Sequence, residues 1–146
     1  TRKTTTGLRL LEKYATRIGG AINHRLNLKE KILLKDNHLV LAGGLERIME
    51  KIVKKNIQDY QIECDNYEQT KKLIQLGCKH FLLDNMKVNE IKKCISLKKN
   101  KKIIFEISGG IDFTNIKNYS QLGADYISSS SMTNNPSRVD IGLDII

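Results

Sequence analysis

Apolar and polar positions along the 146 residues repeat as one unit: a short apolar run, a polar or glycine-bearing break, then apolar residues at helical spacing. Ile32-Leu33-Leu34 runs into Lys35-Asp36-Asn37-His38, after which Leu45, Ile48, Met49 and Ile52 predict one helix face. Gln61-Ile62-Glu63-Cys64 precedes Asp65-Asn66-Tyr67-Glu68, which reads as an N-cap with a third-position acid, and Gly77 is placed to end that helix. Phe81-Leu82-Leu83 leads through Asp84-Asn85 to a helix with Val88, Ile91 and Ile95 inward. Ile103 to Ile107 leads through Ser108-Gly109-Gly110 to a helix expected from about Asp112 to Leu122, stopped by Gly123. Tyr126-Ile127 runs into Ser128 to Ser131. A first helix follows the opening threonines, with Leu8, Leu11 and Ala15 as its expected inward face.

Strands alternating with helices of this length predict an α/β fold with a parallel sheet. The strand starts, near 32, 61, 81, 103 and 126, are spaced by 20 to 29 residues. Each break carrying polar or Gly residues lies at the C-terminal end of its strand, where α/β barrels gather their chemistry. This nominates Lys35, Glu63, Asp84, Ser108 to Gly110 and Ser128 to Ser130 as one site. Five strands do not close an eight-stranded barrel, so the sheet is open, the barrel is smaller, or strands lie upstream of Thr1.

Composition narrows the class. With 40% hydrophobic and 28% charged residues and no Trp, the chain reads as one soluble globular domain. No apolar run approaches the roughly 20 residues of a membrane span, and the start is too polar for a signal peptide, so neither membrane insertion nor secretion is expected. The net charge of +9 comes from 19 Lys and 6 Arg, beside 19 Ile and 12 Asn. That is the signature of AT-rich codons, and most of the charge reads as solvated surface. Lys98-Lys99-Asn100-Lys101-Lys102 has no interleaved aromatic and reads as a solvated loop, so no nucleic-acid partner is expected. Cys64, Cys78 and Cys94 form no paired motif and read as small buried residues of a cytoplasmic protein. The chain opens on Thr at its most information-dense stretch, as a piece of a longer polypeptide would.

Several clusters carry candidate chemistry. Thr1 to Thr6 sets Arg2 and Lys3 among hydroxyls before a helix, a pattern for anions or for a Thr-rich N-cap. Gly19-Gly20-Ala21-Ile22-Asn23 delivers His24 and Arg25 side by side, ten residues before Lys35. Glu63 and Asp84 end apolar strands, where a carboxylate is costly unless paired, metal-bound or facing a cleft. They suit Mg²⁺, sugar hydroxyls or a lysine partner. Ser108-Gly109-Gly110, with Ser128 to Ser131 after the next strand, suits a phosphate cradle or ordinary turns. His24, His38 and His80 lack transition-metal spacing.

Taken together, TRKTTTGLRLLEKYA, GGAINHRLNL, LLKDNH, IECDNYEQ, LLDNM, EISGGI and DYISSSSMT, ending in VDIGLDI, resemble the quinolinate phosphoribosyltransferase family over essentially the whole chain. The resemblance implies a partial, open α/β barrel of parallel strands, active at the C-terminal strand ends. Residues 1–146 then correspond to the catalytic barrel without the family's N-terminal sandwich domain and first barrel segment. It implies transfer of phosphoribose from phosphoribosyl pyrophosphate to quinolinate with Mg²⁺, releasing pyrophosphate and CO₂ and giving nicotinate mononucleotide for NAD synthesis. It also implies a homodimer in which a neighbouring subunit completes the pocket.

By the same resemblance, Arg2, Lys3, His24 and Arg25 grip the dicarboxylate and nearby phosphates. Lys35 stands between the two substrates. Glu63 and Asp84 bind the ribose hydroxyls and the Mg²⁺ complex, and Ser108, Gly109 and Gly110 hold the 5′-phosphate. Lys35, Glu63 and Asp84 are thus the catalytic set. The chain departs from the family pattern at Thr6 (Pro), Ala21 (Gly), Ser130 (a phosphate-contacting Gly) and Asn134 (His). A Cβ at Ser130 is expected to crowd the phosphate if the backbone there needs a positive φ. Two alternatives accompany this reading: a phosphoribosyltransferase of other substrate, and a repurposed barrel that only binds phosphorylated ligands.

Overall fold

Alternation along the strands decides which face of the sheet is dry. The computed structural model describes residues 3–99 and 102–145. The elements run α1 (Arg9–Ile18), β1 (Ile32–Leu34), α2 (Asp36–Ala42), α3 (Leu45–Lys54), β2 (Tyr60–Cys64) and α4 (Tyr67–Gln75). They continue with β3 (His80–Asp84), α5 (Val88–Ser96), β4 (Ile104–Ser108), α6 (Lys117–Ser120), β5 (Tyr126–Ile127) and α7 (Ser131–Asn134). The strands form one parallel sheet in the order β1-β2-β3-β4-β5. An order without reversal keeps the crossover helices on one side, as in a barrel segment and unlike a doubly wound sheet. Among the described residues β1 and β5 are not paired with each other, so the sheet is open.

On the helix side, Ile62, Cys64, Phe81, Leu83, Phe105 and Ile107 are fully buried against Ile48, Met49 and Ile52 of α3, Leu73 of α4 and Ile91 and Cys94 of α5. Burying one large side chain of this kind contributes about 1.5–3 kcal/mol, so this layer is the main source of stability. Phe81 and Phe105 sit opposite in register, their rings 5.3 Å apart and tilted by 37°. The intervening residues Gln61, Glu63, Leu82, Asp84, Glu106 and Ser108 line the other face, which is one wall of a cleft.

Register stacks that wall in layers. Leu34 pairs with Ile62, which brings Lys35 level with Glu63; Glu63 pairs with Leu82, Leu82 with Glu106 and Glu106 with Tyr126. One step toward the C-terminal strand ends, Asp84 pairs with Ser108. Charges that lie 21 to 28 residues apart in sequence thus become neighbours in one layer or the next.

Local chemistry sets the helix ends. Gly77, at φ 88°, closes α4 with Cys78 N–H donating to Leu73 O and Gly77 N–H to Ile74 O, the paired bonds of a Schellman ending. At its start the cap lies one residue later than expected. Asn66 Oδ1 accepts from Gln69 N–H, and Gln69, not Glu68, reaches back to Asp65 N–H. The break at Lys35 holds an additional helix, α2, separated from α3 by Gly43 and Gly44 at φ 88° and 109°.

Three expectations are corrected. Leu8 and Leu11 of the first helix region are 46% and 66% exposed and Ala15 is exposed, whereas Lys13 is 8% exposed; α1 turns Lys13, not its leucines, toward the body. The helix expected over 112–122 shrinks to α6, because Asp112 Oδ1 accepts from Thr114 N–H and Asn115 N–H while Asn115 Nδ2 donates to Gly110 O. These side-chain bonds give residues 112–116 a turn in place of a helical ladder. Lys98 is not simply solvated: its Nζ lies 2.7 Å from Asp125 Oδ2, which also accepts from Phe105 N–H. Asn100 and Lys101 lie outside the described residues. No helix among the described residues is long and apolar enough to cross a membrane.

Candidate active site

Ten of the eleven site residues nominated from sequence line one open cleft of about 1400 Å³: Lys3, His24, Arg25, Lys35, Glu63, Asp84, Ser108, Gly109, Gly110 and Ser130. Arg2 lies outside the described residues. The volume exceeds the roughly 300–1,000 Å³ of a usual small-molecule pocket and leaves room for two ligands side by side. Among the described lining residues five are Lys or Arg and six are Asp or Glu, so the surplus positive charge of the chain is not concentrated here.

One layer of the cleft wall holds Lys35 and Glu63, with Nζ 2.6 Å from Oε2. Glu63 is buried and Lys35 half exposed, so the ammonium reaches from the rim to a carboxylate held in the wall. His38 Nδ1 accepts from Lys35 N–H and fixes the start of α2, which anchors the lysine backbone. Glu63 is therefore both paired and cleft-facing.

The next layer is built by backbone geometry. Asn85 adopts φ 54°, its N–H donates to Ser108 O, and its Nδ2 donates to Asp84 Oδ2 at 2.6 Å. Gly109 packs directly on this turn at φ 97°, and a Cβ there would stand 2.6 Å from Asn85 N. Only glycine fits, which gives the Ser108-Gly109-Gly110 segment a cause beyond an ordinary turn. Ser129 Oγ ties the following loop to Ile111 O and lies 2.7 Å from Ser131 Oγ. Ser130 has φ −92°, so the expected strain from a Cβ in a left-handed backbone does not arise. Ala21 likewise avoids positive φ, and its departure from glycine is accommodated.

The N-terminal segment reaches the same place. Thr133 Oγ1 donates to Lys3 O at 2.9 Å, joining the start of the chain to α7. Asn23 Nδ2 donates to Lys13 O and Arg25 Nη1 to Lys31 O, which seats His24 between two anchored neighbours. Burial holds the Lys13 ammonium below its usual range, with Glu30 opposing that shift.

Sequence reasoning looks to strand ends for acids and so passes over Glu106, in mid-strand, and Gln61. Glu106 is 6% exposed and accepts from Gln61 Nε2 at 2.8 Å and from Ser128 Oγ; His24 Nε2 lies 3.4 Å from its Oε1. Burial pushes the carboxyl up, but the His24 ring, Gln61 and Ser128 outweigh it and hold it at about 2. The signal was present in Phe105-Glu106-Ile107: an acid between apolar strand residues needs a partner wherever it stands.

Residues 1–144 match the model of the quinolinate phosphoribosyl transferase C-terminal domain. The chain belongs to that family. A probable nicotinate-nucleotide pyrophosphorylase (carboxylating) of Synechocystis is 34% identical over all of this chain and 51% of its own length. The human nicotinate-nucleotide pyrophosphorylase (carboxylating) is 32% identical over 99% of this chain and 50% of its own. The crystal structure of nicotinate-nucleotide pyrophosphorylase from Ehrlichia chaffeensis superposes with a TM-score of 0.90 at 40% identity, covering 99% of this chain and 53% of that one. The chain thus spans about half the length of the curated relatives it matches. Membership of the quinolinate phosphoribosyl transferase C-terminal domain family accords with the α/β fold and its single parallel sheet.

Among the described residues no group of three or more His, Cys, Asp or Glu side chains is arranged to hold a metal ion. Glu63 and Asp84 both line the cleft, where Lys35 Nζ engages Glu63 Oε2 and Asn85 Nδ2 engages Asp84 Oδ2.

Proposed function

We propose that the chain forms the catalytic cleft of a phosphoribosyl transfer to quinolinate. The ring nitrogen of quinolinate displaces pyrophosphate at the anomeric carbon of phosphoribosyl pyrophosphate. Loss of the adjacent carboxylate as CO₂ then gives nicotinate mononucleotide. The observation that carries this reading is the convergence of ten nominated residues on one cleft.

The residues divide the work by charge. Lys3, His24 and Arg25, with Arg2, suit the two carboxylates of quinolinate; the planar fork of arginine matches a carboxylate bidentately. Ser108, Gly109, Gly110 and Ser130 offer hydroxyls and close backbone approach to the 5′-phosphate. Glu63 and Asp84 accept hydrogen bonds from ribose hydroxyls and favour the positive charge that builds at the anomeric carbon. Lys35, held by Glu63 at 2.6 Å, stands where the two substrates meet and offsets negative charge there. Mg²⁺, held through Glu63, Asp84 and the diphosphate itself, would supply charge neutralisation to the leaving group. After transfer the cationic ring nitrogen stabilises the electron pair that the breaking C–C bond leaves on the adjacent ring carbon, and a proton from water takes the place of the departed CO₂ there, so no side-chain nucleophile is required.

The same reading places the reaction in the cytoplasm, consistent with three free, buried cysteines. It includes a homodimer, for which the exposed Leu11, Tyr14 and Ile18 of α1 offer apolar surface; sedimentation equilibrium tests that part. For the activity, the purified chain is incubated with quinolinate, phosphoribosyl pyrophosphate and Mg²⁺. Formation of nicotinate mononucleotide and pyrophosphate in equal amounts is expected. Absence of product while phosphate-bearing ligands still bind would overturn the enzyme reading in favour of a ligand-binding barrel.

A further inference from the structure

Glu106 has no part in the scheme above, yet it is the most elaborately supported charge in the cleft. Barrel-facing positions of this kind are ordinarily filled by branched apolar residues. A buried carboxylate there is costly unless its oxygens are satisfied. Here groups from three separate segments converge on it: Gln61 Nε2 from β2 donates at 2.8 Å, Ser128 Oγ donates from the loop after β5, and the His24 ring from the loop after α1 sets its Nε2 3.4 Å from Oε1. Packing alone would not assemble such a set.

The far sides of two of these groups are unfinished. His24 Nδ1 and Gln61 Oε1 are buried without a hydrogen-bond partner, as is Asn23 Oδ1 beside them in sequence, and all three residues line the cleft. Unpaired polar atoms at a cleft wall mark a place where a polar ligand completes the bonding.

We infer that Glu106 is a positioning residue for ligand recognition: with Gln61 and Ser128 fixing the carboxylate, it holds the His24 ring by Nε2 so that Nδ1 meets a ligand carboxylate. This rests on the dicarboxylate reading of the site. A ring bonded to a carboxylate at each nitrogen carries both protons, so the bound state is Glu106–imidazolium–ligand carboxylate. Glu106 itself touches no substrate. Its effect passes through the histidine and falls on the dicarboxylate, not on phosphate groups bound at the Ser108-Gly109-Gly110 end.

The test uses the full chain, with circular dichroism to establish folding, in wild type and Glu106→Gln. Binding of pyridine-2,3-dicarboxylate and of inorganic diphosphate is measured by calorimetry, and the His24 ring nitrogens are read by ¹⁵N NMR. With dicarboxylate bound, both ring nitrogens of the wild type are protonated. Glu106→Gln loses about tenfold or more in dicarboxylate affinity, the scale of one charge-assisted bond, keeps diphosphate affinity within about twofold, and changes the His24 resonances. A folded Glu106→Gln chain with unaltered dicarboxylate affinity, or with unmoved His24 resonances, overturns the inference. If the wild type binds no dicarboxylate, the substrate reading fails. The ligand-free His24 spectra still decide the positioning role: different between the two chains supports it, identical overturns it. Should Glu106→Gln not fold, Ser128→Ala removes one donor and keeps the charge. It is expected to move the His24 resonances and lower dicarboxylate affinity, and unmoved resonances overturn the inference.

Discussion

Lys35 and Glu63 meet at 2.6 Å across the β1–β2 boundary, a surface-reaching ammonium on a buried carboxylate. The pair binds the start of α2 to β2. Lys35→Met leaves the Glu63 charge in the wall without its cation. Because Lys35 is half exposed, water compensates in part, and a loss of about 1 kcal/mol in urea unfolding is expected. Lys35→Met combined with Glu63→Gln recovers most of that loss in a double-mutant cycle. A strictly additive cycle would show that the pair has no coupling.

Gly109 and Gly110 are adjacent, both at positive φ, yet they differ in what a side chain would meet. A Cβ at Gly109 stands 2.6 Å from Asn85 N, whereas nothing lies within 4 Å of one at Gly110. Gly109→Ala is therefore expected to lower stability by roughly 2–3 kcal/mol and to abolish binding of phosphate-bearing ligands, and Gly110→Ala to cost about 1 kcal/mol. Thermal unfolding with and without phosphate ligand separates the two. Equal effects would show that backbone conformation alone matters here.

Glu106 makes stability depend on acid pH. Its folded value, about 2, lies below the ordinary 4.5, so the folded state holds the ionised form more strongly than the unfolded chain does. The associated stability is fully present above about pH 4.5 and is lost as pH falls toward 2, amounting to on the order of 3 kcal/mol. Urea unfolding between pH 6 and pH 2.5 is expected to show this slope, and Glu106→Gln to flatten it.

Ser130 stands where the family pattern has glycine, and its φ of −92° is open to any residue. Ser130→Gly thus relieves no strain. It is expected to lower stability by about 0.5 kcal/mol through the unfolded chain's added freedom and to leave phosphate affinity within about twofold. A marked gain in phosphate affinity would show that the Cβ does crowd the ligand.

Arg25 Nη1 donates to Lys31 O at 2.9 Å, which holds the guanidinium at the cleft. Arg25→Ala is expected to weaken quinolinate by about tenfold or more and phosphoribosyl pyrophosphate far less, measured as separate binding constants. An equal loss for both would remove its assignment to the dicarboxylate.

Much of the fold was legible because its causes are local. A strand shows itself by apolar runs and a helix end by the residue that fits the required backbone. Hence β2, β3 and β4 begin within a residue of expectation, Gly77 closes α4, and Ile48, Met49 and Ile52 face the core. The strand-end rule also grouped Lys35, Glu63, Asp84 and the Ser108-Gly109-Gly110 turn, which line one cleft, since parallel βα units bring their C-terminal ends to one side whatever the details of packing.

What the sequence determined by itself, then, was the order of the strands and the end of the sheet where the charged cleft residues gather. The tertiary structure alone decided the rest. Helical spacing says that Leu8 and Leu11 share a face, but only the surrounding chain decides that Lys13 is covered and they are not. Glu106 was visible as an oddity, yet its partners His24, Gln61 and Ser128 lie 82, 45 and 22 positions away, and no local pattern links residues so separated. Periodicity is a property of neighbours along the chain, whereas the satisfaction of a buried charge is a property of whatever the fold brings within about 3 Å of it.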